Sequence, residues 1–303
     1  MIQKVEFGGH ANCLRIANNE VDLIVTTDIG PRILRYGFIG QENTLGEYPD
    51  LITPTEWGDW KPWGGHRLWV APEEMPLSYA PDNSPIHFET IGDHSVRLTQ
   101  PTDRAGFEKQ ISVELNATGT SVAVHHRIVN RNDEAVSVAP WAITIMRGGG
   151  TTYIPQEPFR SHDDCLVPAR SLVLWYFTDL TDPRIQLGQK LIRLSTDAAK
   201  RDPQKIGAAN QQGWCAYHVR ATRTLFLKRF SYDAHAAYPD FGANIESYAA
   251  GDYMEVETLG GLVDLAPGAP VDHTETWQLF GEIGLGETDD EIEPAIKALV
   301  ETA

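Results

Sequence analysis

Short runs of alternating or continuous apolar residues recur along the chain, and they set its expected architecture. In VAVHHRIV (122–129), Val122, Val124, His126 and Ile128 share one face. VDLIVTT (21–27), AVSVAPWAITIM (135–146), LVLWYF (172–177), WCAYHV (214–219), LFLKRF (225–230), YMEVETL (253–259) and TETWQLF (274–280) are similarly short and rich in β-branched and aromatic residues. Gly, Pro, Asn or Asp bound them, as in the turn cluster Asn130-Arg-Asn-Asp133. Many such runs with no helices between them predict antiparallel sheets packed as a sandwich. One helix is expected over 288–302, where Thr288-Asp-Asp-Glu291 has a capping-box pattern and Ile292, Ile296, Leu299 and Val300 follow at helical spacing. A further helical turn is expected around Thr196–Lys200.

The segment Gly40–Ser84 breaks this rhythm. It is rich in Pro and Gly and holds four of the eight tryptophans, Trp57, Trp60, Trp63 and Trp69. It reads as a long irregular excursion, and ordered loops of that length usually carry function. No repeat or linker divides the chain, so one domain over 1–303 is expected.

Composition narrows the function. The 303 residues are 42% hydrophobic and 22% charged, values of an ordinary globular chain. The net charge of −17, from 42 acidic against 25 basic residues, disfavours nucleic acid and anionic membrane surfaces as partners. Cys13, Cys165 and Cys215 are odd in number and widely spaced, which argues against a disulfide framework or structural zinc. With no apolar leader or transmembrane run, a cytoplasmic protein is expected.

Two stretches carry candidate chemistry. In WGDWKPWGGHRLWVAPEE (57–74), tryptophans offer faces for sugar C–H groups, and His66, Arg67 and Glu73 offer hydrogen bonds to hydroxyls. In YPDFGANIESYAAGDYMEVE (238–257), strand alternation puts Glu255 and Glu257 on one face, opposite Met254 and Val256, with Asp240, Asn244 and Glu246 nearby. Two carboxylates crowded in a cleft would raise a pKa towards neutrality, as a general acid or base needs. Arg32 after Gly30-Pro31, Arg147 before a glycine triplet, and Lys228 within an apolar strand are further candidates for binding substrate. No metal site is expected. His125 and His126 point to opposite faces, and although His273 and Glu275 share one, no HExxH, P-loop, GxGxxG or GxSxG pattern accompanies them.

Taken in order, TTDIGPRILRYGFIGQENTLGEY, VHHRIVNRNDEAVSVAPW and VETLGGLVDLAPGAPVDHTETWQLF resemble the galactose mutarotase-like (aldose 1-epimerase) superfamily over most of residues 5–281. GGHRLWVAPE is similar to an uncharacterised branch of it. The resemblance implies a large antiparallel supersandwich with a sugar site, and no cofactor. In mutarotases a Glu takes the anomeric proton and a His protonates the ring oxygen. The resemblance places Glu257 at that Glu, while Pro140-Trp141 stands where the His is expected, leaving His66 as a substitute acid. Three functions follow: an aldose 1-epimerase-like enzyme with Glu257 and His66 catalytic and Arg32, Arg67, Trp69, Arg147 and Lys228 binding substrate; a carbohydrate-binding protein without catalysis; or another sugar-acting enzyme, such as an isomerase or lyase, on the same scaffold.

Overall fold

A computed structural model describes residues 1–302. Two large antiparallel sheets face each other. The first has eleven strands in the order Ile2–Phe7, His10–Ala17, Val21–Thr26, Arg32–Phe38, His66–Ala71, Val136–Met146, Tyr253–Leu259, Ile245–Ala250, Gln204–Ala208 and Val173–Leu174, with Val263–Leu265 joined to the end of Val136–Met146. The second has ten, in the order His87–Gly92, Ser95–Thr99, Phe107–Leu115, Val122–Asn130, Pro270–Phe280, Thr224–Phe230, Trp214–Val219, Gly150–Pro155, Leu191–Ser195 and Ile185–Leu187. Residues from both sheets, among them Leu23, Ile33, Val113, Val124, Phe226, Val256 and Trp277, form one apolar core.

Most of the expected strands are present. LVLWYF is the exception: only Val173–Leu174 is strand, and Trp175 to Phe177 leave the sheet in a turn. Thr196–Lys200 is a turn and not a helix, closed by the Lys200 amide on the Asp197 carbonyl at 2.9 Å. The excursion over 40–84 is more ordered than its composition predicts. His66–Ala71 is a buried strand between Arg32–Phe38 and Val136–Met146. Both faces of HRLWVA are covered, so it lacks the alternation that marks a half-exposed strand. Gly65 makes its entry possible. With φ at +67°, a Cβ there would lie 2.1 Å from the Ile33 carbonyl oxygen, a collision only glycine avoids.

The C-terminal helix Asp289–Thr302 buries Ile292 and Ile296 against Tyr153, Leu191, Trp214, Leu225 and Leu227. Glu291 reaches back to the Thr288 amide at 3.1 Å, the N-terminal stop that the capping pattern predicts. Cys13, Cys165 and Cys215 are all free. No helix among the described residues is long and apolar enough to cross a membrane.

A polar network is sealed between the sheets. Lys228 Nζ donates to Thr144 Oγ1 at 2.8 Å and to the Val256 carbonyl at 3.1 Å, and pairs with Glu275 at 2.9 Å. Glu275 also accepts from the Trp277 indole at 2.7 Å and from the Thr258 hydroxyl. His126 Nδ1 lies 3.0 Å from the His273 carbonyl, so it carries the proton, and His126 Nε2 accepts from His66 Nε2 at 2.7 Å. His66 Nδ1 then accepts from Thr144 at 2.8 Å, and His273 Nε2 donates to Thr258 at 2.7 Å. Burial holds His66 well below the usual imidazole range and takes His126 to about 3 and His273 to about 4. All three are therefore neutral at pH 7.

Two outcomes follow from this network. Lys228→Met strands the Glu275 carboxylate in the core and costs ~3–5 kcal/mol by urea denaturation, part of which a Lys228→Met/Glu275→Gln double variant recovers. In the unfolded chain the three imidazoles take up protons near pH 6.5, but in the fold only at much lower pH. Below pH 6.5 the unfolded state thus binds more protons, and the contribution of these groups to stability falls between about pH 6.5 and 4. Unfolding free energies measured across that window in the wild type and His126→Gln should give a shallower slope for the variant.

Candidate functional site

The outer face of the first sheet, away from the second sheet, floors a cleft of about 890 Å³. Alternation decides which residues reach it. Along His66–Ala71, Arg67 and Trp69 face the cleft while His66 and Leu68 face the intersheet core. Along Val136–Met146, Trp141 and Ile143 face it; along Tyr253–Leu259, Tyr253 and Glu255 do. The walls come from chain outside these strands: Tyr48, Leu51 and Ile52, then Trp60, Glu73 and Tyr79, and on the far side Trp175, Phe177 and Arg201.

Arg67 is the most constrained group in the cleft. Its side chain is 3% exposed, and Nη2 donates to Glu255 Oε1 at 2.8 Å. Its guanidinium carbon lies 4.7 Å from the Trp69 ring centre and 5.1 Å from that of Trp60. Both indoles are held edge-to-face, Trp69 against Trp141 at 5.4 Å and Tyr79 at 4.6 Å, and Trp60 against Trp69 at 5.0 Å. Burial opposes the Arg67 charge, but Glu255 outweighs it and holds the guanidinium pKa above its usual value. Nε and Nη1 of Arg67 are closed off from solvent with no well-formed hydrogen bond among the described residues, and the Tyr253 hydroxyl also interacts with the guanidinium. Glu255 also accepts from the Tyr253 hydroxyl at 2.7 Å.

Lys205 forms the second polar feature. Its Nζ lies 4.7 Å from the Trp141 ring centre and 4.6 Å from that of Trp175, at the cleft surface. Below the surface it pairs with Glu246 at 2.7 Å and Glu257 at 3.1 Å, both wholly buried. Glu257 Oε2 also accepts from the Trp141 indole at 2.8 Å, while Oε1 has no partner among the described residues. One ammonium neutralises one carboxylate, so the other keeps a proton. Burial pushes Glu257 up to about 7 and Glu246 well above the carboxylate range, against the pull of Lys205.

Arg67, Trp69, Glu73 and Glu255 all line the cleft, and several other expected site residues do not. His66 points into the core with Lys228, because neighbouring residues on a strand cannot share a face. Glu257 lies behind Trp141 and Lys205. Arg32 is buried with Asp82 at 2.7 Å and donates to the Pro62 carbonyl at 2.8 Å, so it pins the tryptophan loop and does not face a ligand. Arg147 pairs with Glu42 beside a separate small cavity. Asn244 fastens the backbone of Asn210 at 2.9 Å, and Asp240 sits in the four-residue helical turn Pro239–Gly242 before it. Among the described residues, no histidine lines the cleft.

Trp60, Trp69 and Trp141 are each no more than 5% exposed and form a small core of their own, so they support Arg67 more than they offer open faces. The accessible rings are ones the sequence did not single out: Phe177 is exposed, and Trp175, Tyr248 and Tyr253 are half-buried. Lys205 was missed as well. Its strand QKIGA was too short and polar to register, and Trp175 was assigned to a strand.

His66, His126 and Glu275 bring three possible metal-ligand atoms within 4.8 Å of one another, a juxtaposition that sequence spacing did not reveal. In the hydrogen-bond pattern above, each of those atoms is already engaged, and the Lys228 ammonium touches the carboxylate. That arrangement satisfies the three groups without a cation and would set Lys228 against one.

No family model and no curated protein sequence matches the chain. Solved structures do. A galactose mutarotase-like protein from Clostridium acetobutylicum superposes with a TM-score of 0.52 at 11% identity, covering 93% of this chain and 98% of its own. A candidate mutarotase from Salmonella typhimurium gives 0.59 at 12% identity, covering 93% and 94%. A candidate aldose 1-epimerase from Escherichia coli K12 gives 0.55 at 11%, covering 88% and 98%. Such low identities speak to architecture alone, and the architecture is the galactose mutarotase-like β-sandwich with a short C-terminal helix.

Proposed function

We propose that this chain binds a carbohydrate in the cleft over the first sheet. The observation that carries the reading is the cleft itself, about 890 Å³ lined by the Arg67–Glu255 ion pair and by Trp175, Tyr248 and Tyr253. A sugar hydroxyl donates to Glu255, the more exposed end of the pair, and the tryptophan backing of Arg67 holds that carboxylate in place. Half-exposed Tyr248, Tyr253 and Trp175 offer faces for the apolar side of a sugar ring. The descriptions of the structural neighbours, as mutarotase-like or epimerase proteins, point to the same ligand class.

A catalytic reading of the same cleft, aldose 1-epimerase-like interconversion of anomers, rests on Glu257. That reaction needs one group to take the anomeric hydroxyl proton and another to protonate the ring oxygen. Burial pushes Glu257 up to about 7, and its Oε1 has no partner among the described residues but is closed off from solvent. The charged Lys205 ammonium, 3.1 Å from the carboxylate, and the Trp141 indole stand between Glu257 and the cleft, so proton transfer with a sugar requires those side chains to part.

Titration calorimetry against a panel of aldoses tests the binding reading. At least one sugar binds the wild type, and Arg67→Met, with a melting temperature near that of the wild type, weakens it tenfold or more, about 1.4 kcal/mol. Unchanged affinity in Arg67→Met would remove Arg67 from the site. NMR exchange between anomers tests the catalytic reading. The wild type accelerates exchange, the rate rises with pH through about 7 as Glu257 ionises, and Glu257→Gln loses at least ~100-fold. No acceleration for any free or phosphorylated aldose leaves binding alone.

A further inference from the structure

Resting on the carbohydrate reading above, we propose that the ligand is a neutral oligosaccharide of two or three units and not a single sugar. The cleft floor spans five neighbouring strands, from Arg67 on His66–Ala71, across Val136–Met146, Tyr253–Leu259 and Ile245–Ala250, to Lys205 on Gln204–Ala208. Four strand spacings make that floor ~19 Å wide. Its 890 Å³ corresponds to roughly 30 water molecules at ~30 Å³ each. One hexose, with its dozen heavy atoms, displaces well under half of that.

The two sides of the cleft offer different contacts. Arg67 and Glu255 form a hydrogen-bonding clasp on one side. On the other, Trp175 leaves the short strand Val173–Leu174 and lies over Gly207, where a Cβ would come 3.2 Å from its ring. The missing side chain at Gly207 lets the indole settle on the backbone of the fifth strand. Tyr248 stands between, with Phe177 edge-on to it at 6.4 Å. A clasp and a separate aromatic platform fit successive units of a chain.

The ligand's charge follows from the lining. Arg67, Arg201 and Lys205 are balanced by Glu73, Asp252 and Glu255. Arg67 and Lys205 are already paired with carboxylates, so no surplus of positive charge favours a uronate or sulfated glycan.

A glycan array bearing chains of one to six neutral, uronate and sulfated units, followed by calorimetry on its hits, tests the proposal. Neutral trisaccharides bind at least tenfold tighter than their own monosaccharides. Trp175→Ala, with its melting temperature checked, narrows that ratio to threefold or less. If that variant does not fold, saturation-transfer NMR on the wild type reads the same point: protons of both terminal units receive saturation. Equal affinity for monosaccharide and trisaccharide, saturation confined to one unit, or a preference for charged glycans overturns the oligosaccharide proposal while the carbohydrate reading stands. An array with no bound glycan of any kind overturns the carbohydrate reading itself.

Discussion

The alternation of side chains across the first sheet governs what this protein can do. Each central strand hands one set of residues to the intersheet core and the next set to the cleft. His66 and Arg67, Met254 and Glu255, and Val256 and Glu257 are neighbours in sequence yet belong to different environments. A one-residue slip of His66–Ala71 would bury Arg67 among Lys228 and Glu275 and put an imidazole in the cleft. The core network resists that slip, because His66 is already committed to Thr144 and His126.

Charge is concentrated on both faces of this sheet, in two forms. Inside, Lys228 and Glu275 are one-to-one and fully hydrogen-bonded, a closed unit that leaves its three histidines neutral. Outside, Lys205 faces two buried carboxylates, an unequal count that leaves a proton to titrate near neutral pH. A satisfied network specifies structure, whereas an unbalanced one beside a cleft has capacity left for chemistry.

The fold was largely legible from the chain. Half-exposed strands such as Val122–Asn130 announce themselves by alternation, and Asp289–Thr302 by its cap and helical period. The pairing of Glu255 with Glu257 on one face was legible for the same reason. What sequence could not supply was depth and partnership. Glu257 shares a face with Glu255 but sinks behind Trp141 once Lys205, some fifty residues away in the chain, closes over it. Arg32 and Arg147 are spent on Asp82 and Glu42, partners that only the folded chain brings near. Trp175 escaped notice because LVLWYF reads as strand, although only its second and third residues pair.

The central claim is that the Arg67–Glu255 pair, braced by tryptophans, recognises the ligand in the cleft. A crystal structure with the tightest-binding saccharide tests it most directly. The account predicts a sugar oxygen within hydrogen-bonding distance of Glu255 or of the Arg67 guanidinium. A saccharide bound elsewhere on the surface, or in the cleft with no contact to Glu255 or Arg67, would contradict it.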